Sequence, residues 1–142
     1  MGFMIYSTDD GRTPATEYLA AGVITPKAGM ALKQTGGLLV SAVGTEAPGY
    51  ISVCEREAAC AAGENIPVVR VSGDIIFETA FSADAGAVKL GDKVTVSADG
   101  LGVTATTAGG VAEVVYMDGA ENGSMCRVRF NKKRGEADSE EA

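Results

Sequence analysis

Short apolar runs alternate with glycine-centred polar breaks along the chain, and no window sustains the apolar spacing of an amphipathic helix. Met30-Ala31-Leu32-Lys33 and Leu38-Leu39-Val40-Ser41 flank Thr35-Gly36-Gly37. Two glycines between apolar runs predict a hairpin, because glycine accepts the positive φ that tight turns require. Gly49-Tyr50-Ile51-Ser52-Val53-Cys54 predicts a third strand, and the Ala-rich 55–65 reads as a loop. Two more strands, 66–71 and 74–79, stand around Ser72-Gly73. Pro67 has no N–H to give to a ladder, which predicts a strand start or a sheet edge for it. After a loop at 82–90, Lys93-Val94-Thr95-Val96 and Gly102-Val103-Thr104-Ala105 enclose the Asp99-Gly100 turn signal. Strands at 111–116 and 125–130 close the series.

About eight short strands with turn signals about every ten residues predict an all-β fold, a small sandwich or barrel. The first 28 residues lack sustained periodicity and read as an extended N-terminal arm that needs a partner surface to become ordered. The β domain then covers 29–130. The last segment, 131–142, is charged and holds no aromatic or β-branched residue, so it predicts a disordered tail.

The β domain resembles itself. Gly29 to Val53 set beside Gly91 to Val114 repeats one order: a Gly before a strand, a Gly turn, a Leu-x-Val strand and another Gly-led strand. Gly49-Tyr50-Ile51-Ser52-Val53 falls on Gly110-Val111-Ala112-Glu113-Val114, and Val68-Val69-Arg70-Val71 on Cys126-Arg127-Val128-Arg129. Either two similar four-strand units are present, or this is the loose self-likeness of any Gly-rich all-β chain.

Composition narrows the chemistry. Of 142 residues, 12 are Lys or Arg, 19 are Asp or Glu and none is His, a net charge of −7. That surplus gives no footprint for nucleic-acid phosphates. Without His, the Ser-His-Asp and Cys-His arrangements and His-containing zinc sites are excluded. No apolar stretch approaches the roughly 20 residues that span a bilayer. Met1 to Tyr6 runs directly into Ser-Thr-Asp-Asp-Gly-Arg, unlike a signal peptide, so intracellular synthesis is expected. Cys54, Cys60 and Cys126 are odd in number and form no C-x-x-C, which favours buried thiols over a disulfide framework. A Cys54–Cys60 pair or a reactive thiol is the competing reading.

Gly91-Asp92-Lys93-Val94-Thr95-Val96, Asp99-Gly100-Leu101-Gly102-Val103-Thr104, Gly110-Val111-Ala112-Glu113-Val114 and Met125-Cys126-Arg127-Val128-Arg129-Phe130 together resemble tailed-phage capsid cement, or head decoration, proteins. Gly63-Glu64-Asn65-Ile66-Pro67-Val68 leading to Ser72-Gly73-Asp74-Ile75-Ile76-Phe77 is similar to another piece of that family. The Ala-rich insertion at 54–62 and the long arm depart from the pattern. The resemblance implies a β-rich, commonly trimeric protein of the virion, made in the host cytoplasm. It would sit on the outer capsid surface and staple neighbouring copies of the major capsid protein. Neither enzyme chemistry nor a cofactor is implied, and no nucleic acid or membrane partner. An arm of this kind could order along a neighbour by strand addition.

The candidate contact residues follow from chemistry. Phe3, Tyr6 and Tyr18 are the arm's aromatics, suited to anchoring in a neighbour's pockets. Arg70, Arg127 and Arg129 stand on otherwise apolar strands. Strand alternation puts Arg127 and Arg129 on one face and Val128 on the other, either in solvent or in salt bridges across an interface. Asp9, Asp10 and Glu17 could form an acidic metal patch but read better as a solvated turn. Glu55, Glu57 and Glu64 read as loop charges rather than an acid–base pair, and no phosphate-binding loop is present. A competing function class is a small β-barrel enzyme or ligand-binding module with carboxylates at a subunit interface.

Overall fold

The computed structural model describes residues 2–8, 11 and 14–130. The tail at 131–142 and the pair Asp9 and Asp10 lie outside the described residues. Within them the chain is all-β, with ten strands and no helix. The segment expected to be an arm supplies two of these strands, β1 (Met4–Thr8) and β2 (Thr16–Ala21). Its ordering surface is therefore the chain's own body. Neither strand has a clean buried–exposed alternation, because β1 is an edge strand carrying a register shift between Ile5 and Ser7, and β2 fully buries only Ala21 at its end. That is why periodicity did not reveal them.

Strand β2 joins β3 (Ala31–Thr35), β4 (Leu38–Ser41), β5 (Tyr50–Ser52) and β6 (Glu64–Arg70) in a closed barrel of order β2-β4-β3-β5-β6. The β3–β4 hairpin turns at Gly36 and Gly37, with φ of 59° and 85°. The barrel closes where Ala21 of β2 meets Leu39 of β4 in parallel. A second sheet has the order β1-β7-β10-β9-β8, with β7 (Ile75–Ala80), β8 (Lys93–Val94), β9 (Ala112–Met117) and β10 (Met125–Arg129). The strands on either side of Ser72-Gly73 thus belong to different sheets. Pro67 is neither at a strand start nor at an edge: it lies within β6, opposite Tyr18 of β2. The barrel tolerates it because β5 pairs only as far as Val68, and Pro67 accepts the Val53 N–H through its carbonyl on that side. The missing donor therefore points past the end of β5.

Two halves of the chain share one topology, register for register. Tyr18 opposite Pro67 in the β2–β6 pair matches Glu78 opposite Arg127 in β7–β10, an offset of 60 residues on both strands. Ala31 opposite Ile51 matches Lys93 opposite Glu113, an offset of 62. The closing contact has a counterpart in an isolated parallel bridge, Phe81 with Val103, which matches Ala21 with Leu39, although the strands of the second sheet do not close into a barrel. The loop hydrogen bonds coincide: Gly63 N–H donates to Ala21 and Gly123 N–H to Phe81, and both glycines have positive φ, 87° and 93°. Gly29 N–H donates to Ser52 as Gly91 N–H does to Val114. The duplication suggested by the sequence is thus present, but in a shifted register. Gly49 falls on Val111 rather than Gly110, and Val68 on Val128 rather than Cys126.

The cores correspond. Ala21, Leu32, Leu39, Tyr50, Ile66 and Val68 fill the barrel, and Phe81, Val94, Val103, Ala112, Cys126 and Val128 take the same places in the second unit. The large side chain changes partner between them: Ala21 with Tyr50 becomes Phe81 with Ala112. Among the described residues, β1 is the one strand outside the repeat. It pairs with β7 and directly follows Phe3, whose N–H donates to Gly29 of the first unit at 2.8 Å, so it sutures the two halves.

Candidate interaction surface

The exposed face of the open sheet gathers side chains from four strands into one row. Pairing sets Met4 of β1 opposite Glu78 of β7, Glu78 opposite Arg127 of β10, and Arg127 opposite Tyr116 of β9. Directly opposed residues share a face, so all four point outward together. Arg127 is the centre. Its Nε donates to the Glu78 carboxylate at 3.2 Å, and its guanidinium carbon lies 3.7 Å from the Tyr6 ring centroid and 4.4 Å from that of Tyr116. Ring faces attract a cation, so the two tyrosines and the arginine fix one another. Around this stack Met4 is 56% exposed, Tyr6 52% and Tyr116 39%. Tyr, Met and Arg are the residue types enriched where proteins bind proteins.

Arg129 stands one alternation further along β10 on the same face as Arg127, while Val128 is fully buried. Its Nε is buried and makes no hydrogen bond among the described residues. Arg70 is elsewhere, at the end of β6. It grips Glu17 of β2 through two hydrogen bonds of 3.0 and 3.1 Å and lies 5.2 Å from the Tyr50 ring. Its hydrogen bonds to the Glu17 carboxylate chiefly, with help from Tyr50, hold its guanidinium still more firmly protonated than usual. Tyr18, on the outward face of β2, is 67% exposed. Phe3 is placed quite differently from the expected anchor. It is only 2% exposed, its ring 5.1 Å from Phe130 and 6.5 Å from Phe77, so it fills a pocket of its own chain. The six candidates therefore divide among an outer face, a barrel rim and the core.

Other polar groups are engaged locally. Glu64 pairs with Arg56 and accepts the Ala61 N–H, which lowers its pKa, and Glu55 accepts the Ala28 N–H. The Arg56 guanidinium also lies 3.7 Å from the Cys60 sulfur. All three cysteines are free thiols. No group of three or more Cys, Asp or Glu side chains that could hold a metal occurs among the described residues. A hollow of about 320 Å³ beside Ser97 and Asp99 holds one carboxylate, which already accepts from the Ser97 hydroxyl at 2.6 Å and the Leu101 N–H at 2.9 Å. An apolar cleft of about 240 Å³ runs beside β1, lined by Phe3, Met4, Ile5, Gly29 and Val53 among others.

Sequence reasoning named Tyr6 and Arg127 but not Met4, Glu78 or Tyr116, which complete the row. The alternation of β9 and β10 carried part of the signal. The meeting of Tyr6 with Arg127 depends on β1 joining β7, a pairing across about 70 residues that no local pattern announces. No known protein family model and no curated protein matches the chain.

Proposed function

We propose that this is a structural binding protein whose docking surface is the outer face of the open sheet, and that it cements a phage capsid. The observation that carries the first part is the Tyr6–Arg127–Tyr116 stack, a rigid aromatic platform beside exposed Met4. Such a platform loses little side-chain entropy on binding, which suits it to act as a hot spot. The capsid as partner is supported by the likeness of 91–130 to cement proteins. The acidic surplus suits a solvent-facing protein present in many copies, and repetition over a shell would turn modest contacts into tight attachment. We take the acting form to be a trimer and its place to be the virion.

The experiment is co-sedimentation with shells assembled from the major capsid protein of the virion it is proposed to decorate. Wild-type protein should co-sediment, and Tyr116→Ser should weaken retention about tenfold or more, an effect of hot-spot size. Its melting temperature should stay within a few degrees of wild type, because Tyr116 is a surface residue. Wild-type protein that stays in the supernatant would overturn the capsid reading. Equal retention of Tyr116→Ser would remove this face from it. Light scattering on a sizing column reads the trimer directly.

A further inference from the structure

The internal duplication exposes a strand seat that is filled in one half and open in the other. In a strand, a residue's N–H and C=O point to the same side and successive residues alternate. Ala21 accepts the Gly63 N–H from the β6 side, so Thr16 and Tyr18 turn their main-chain groups the other way, as do their counterparts Ile76 and Glu78 in the second unit. There the outward groups are met by β1, with Met4 opposite Glu78 and Ser7 opposite Ile76. In the first unit β4 reaches only Ala21, and among the described residues no strand lies against Thr16 or Tyr18. From the filled seat we infer that this open edge of β2 accepts an extended segment of another polypeptide, laid antiparallel to β2 as β1 is laid on β7.

The same comparison gives the chemistry of the guest. The edge residues offer hydrogen bonds to any main chain, so the guest is extended over about five residues, and the filled seat gives the pattern for an uncharged one, Met4-Ile5-Tyr6-Ser7-Thr8. The residue ahead of it meets different surroundings. Phe3 leads β1 into a cluster with Phe77 and Phe130, whereas the matching positions in the first unit are Glu17 and Arg70, hydrogen-bonded to each other and partly exposed. A hydrogen-bonding side chain, not an aromatic one, fits over that ion pair. A second copy of this chain cannot bring its own β1 without vacating its own sheet, so the occupant assigned here is a segment of a different protein. The inference goes beyond the function proposed above and does not need the partner to be a capsid.

The test adds to the full-length protein a fluorescent peptide of residues 2–8 carrying Phe3→Gln. Saturable binding is expected, with amide shifts confined to Thr16, Tyr18 and their neighbours. Thr16→Pro and Tyr18→Pro each remove an outward N–H while leaving the β2–β6 ladder intact, and each should weaken binding at least about tenfold. Shift mapping on the wild type keeps the test independent of whether either variant folds. Shifts at Ile76 and Glu78 would mean that the peptide displaces β1, and would overturn the inference. So would binding unchanged in both proline variants, or an absence of saturation. Self-association of the free protein abolished by Thr16→Pro would also overturn it, by making the occupant a second copy.

Discussion

A phenyl ring enclosed by two others holds the N-terminal segment in place. Phe3 touches Phe130 and Phe77 edge-on, and removing it empties a space that neighbouring β-sheet backbone cannot close. Phe3→Ala should therefore cost about 3–5 kcal/mol, read as a lower urea midpoint at unchanged slope. The thiols differ by environment in the same way. Burial pushes Cys126 up to about 12, so in the folded protein it should resist iodoacetamide at pH 8 while half-buried Cys54 reacts first. Mass spectrometry of partly labelled protein checks the order. Among the described residues three carboxyls are shifted down: Glu46 by hydrogen bonds from Lys33 and the Val43 N–H, Glu64 by Arg56 and the Ala61 N–H, and Asp99 by Ser97 and the Leu101 N–H. As pH falls, the unfolded chain takes up protons at these groups before the folded one does. Their stabilisation is complete above the ordinary carboxyl range and fades as pH drops below about 4.5 through the lowered values. The urea midpoint should be flat from pH 7 to about 5 and decline below it. High salt should blunt the part due to the exposed Glu46 and Glu64 pairs and leave that of Asp99, whose partners are a hydroxyl and an amide.

At the scale of elements, β1 has two roles that a binding arm would not combine. It covers the outer edge of β7, and it ties the open sheet to the barrel through Phe3 and Gly29. Deleting residues 1–8 should lower the melting temperature and promote aggregation through the bared β7 edge, and should not yield an intact body that merely lacks an arm. Scanning fluorimetry and light scattering on the truncated protein distinguish the two. Strands with strong local signals were legible in the sequence. The β3–β4 hairpin follows from Gly36 and Gly37, and β7, β9 and β10 from their alternation. The Asp99-Gly100 turn was legible too, although beyond two-residue β8 its arms meet mainly at Val96 and Val103 and through single hydrogen bonds such as Ser97 to Gly102. What was not legible depends on distant pairing. Neither the assignment of β6 and β7 to different sheets nor the seating of β1 leaves a mark in a ten-residue window, and the tyrosine–arginine row inherits that obscurity from β1.

For the whole molecule, the duplication makes one half a control for the other. The repeat was visible as a recurrence of glycines but misaligned by one or two residues, because the structure holds register through hydrogen bonds at Gly63 and Gly123 that the matched apolar strings do not contain. With the register fixed, the core exchange acquires an energetic meaning. Ala21 with Tyr50 in the barrel, and Phe81 with Ala112 in the second unit, place one aromatic ring and one methyl at the same two positions in opposite order. If each pair fills one shared space, total volume is what the fold conserves. Phe81→Ala alone should then cost about 3–5 kcal/mol by leaving a cavity. Ala112→Tyr alone should cost about 1–3 kcal/mol by overfilling. The double variant imports the first unit's arrangement and should cost at least about 1 kcal/mol less than the sum of the two, a coupling that urea unfolding of the four proteins measures. Strict additivity would mean that the two positions do not share one space, and that the aromatic exchange between the halves is unrelated to packing. A rescue would mean that both units obey one packing rule, so that substitutions tolerated in one half can be read directly onto the other.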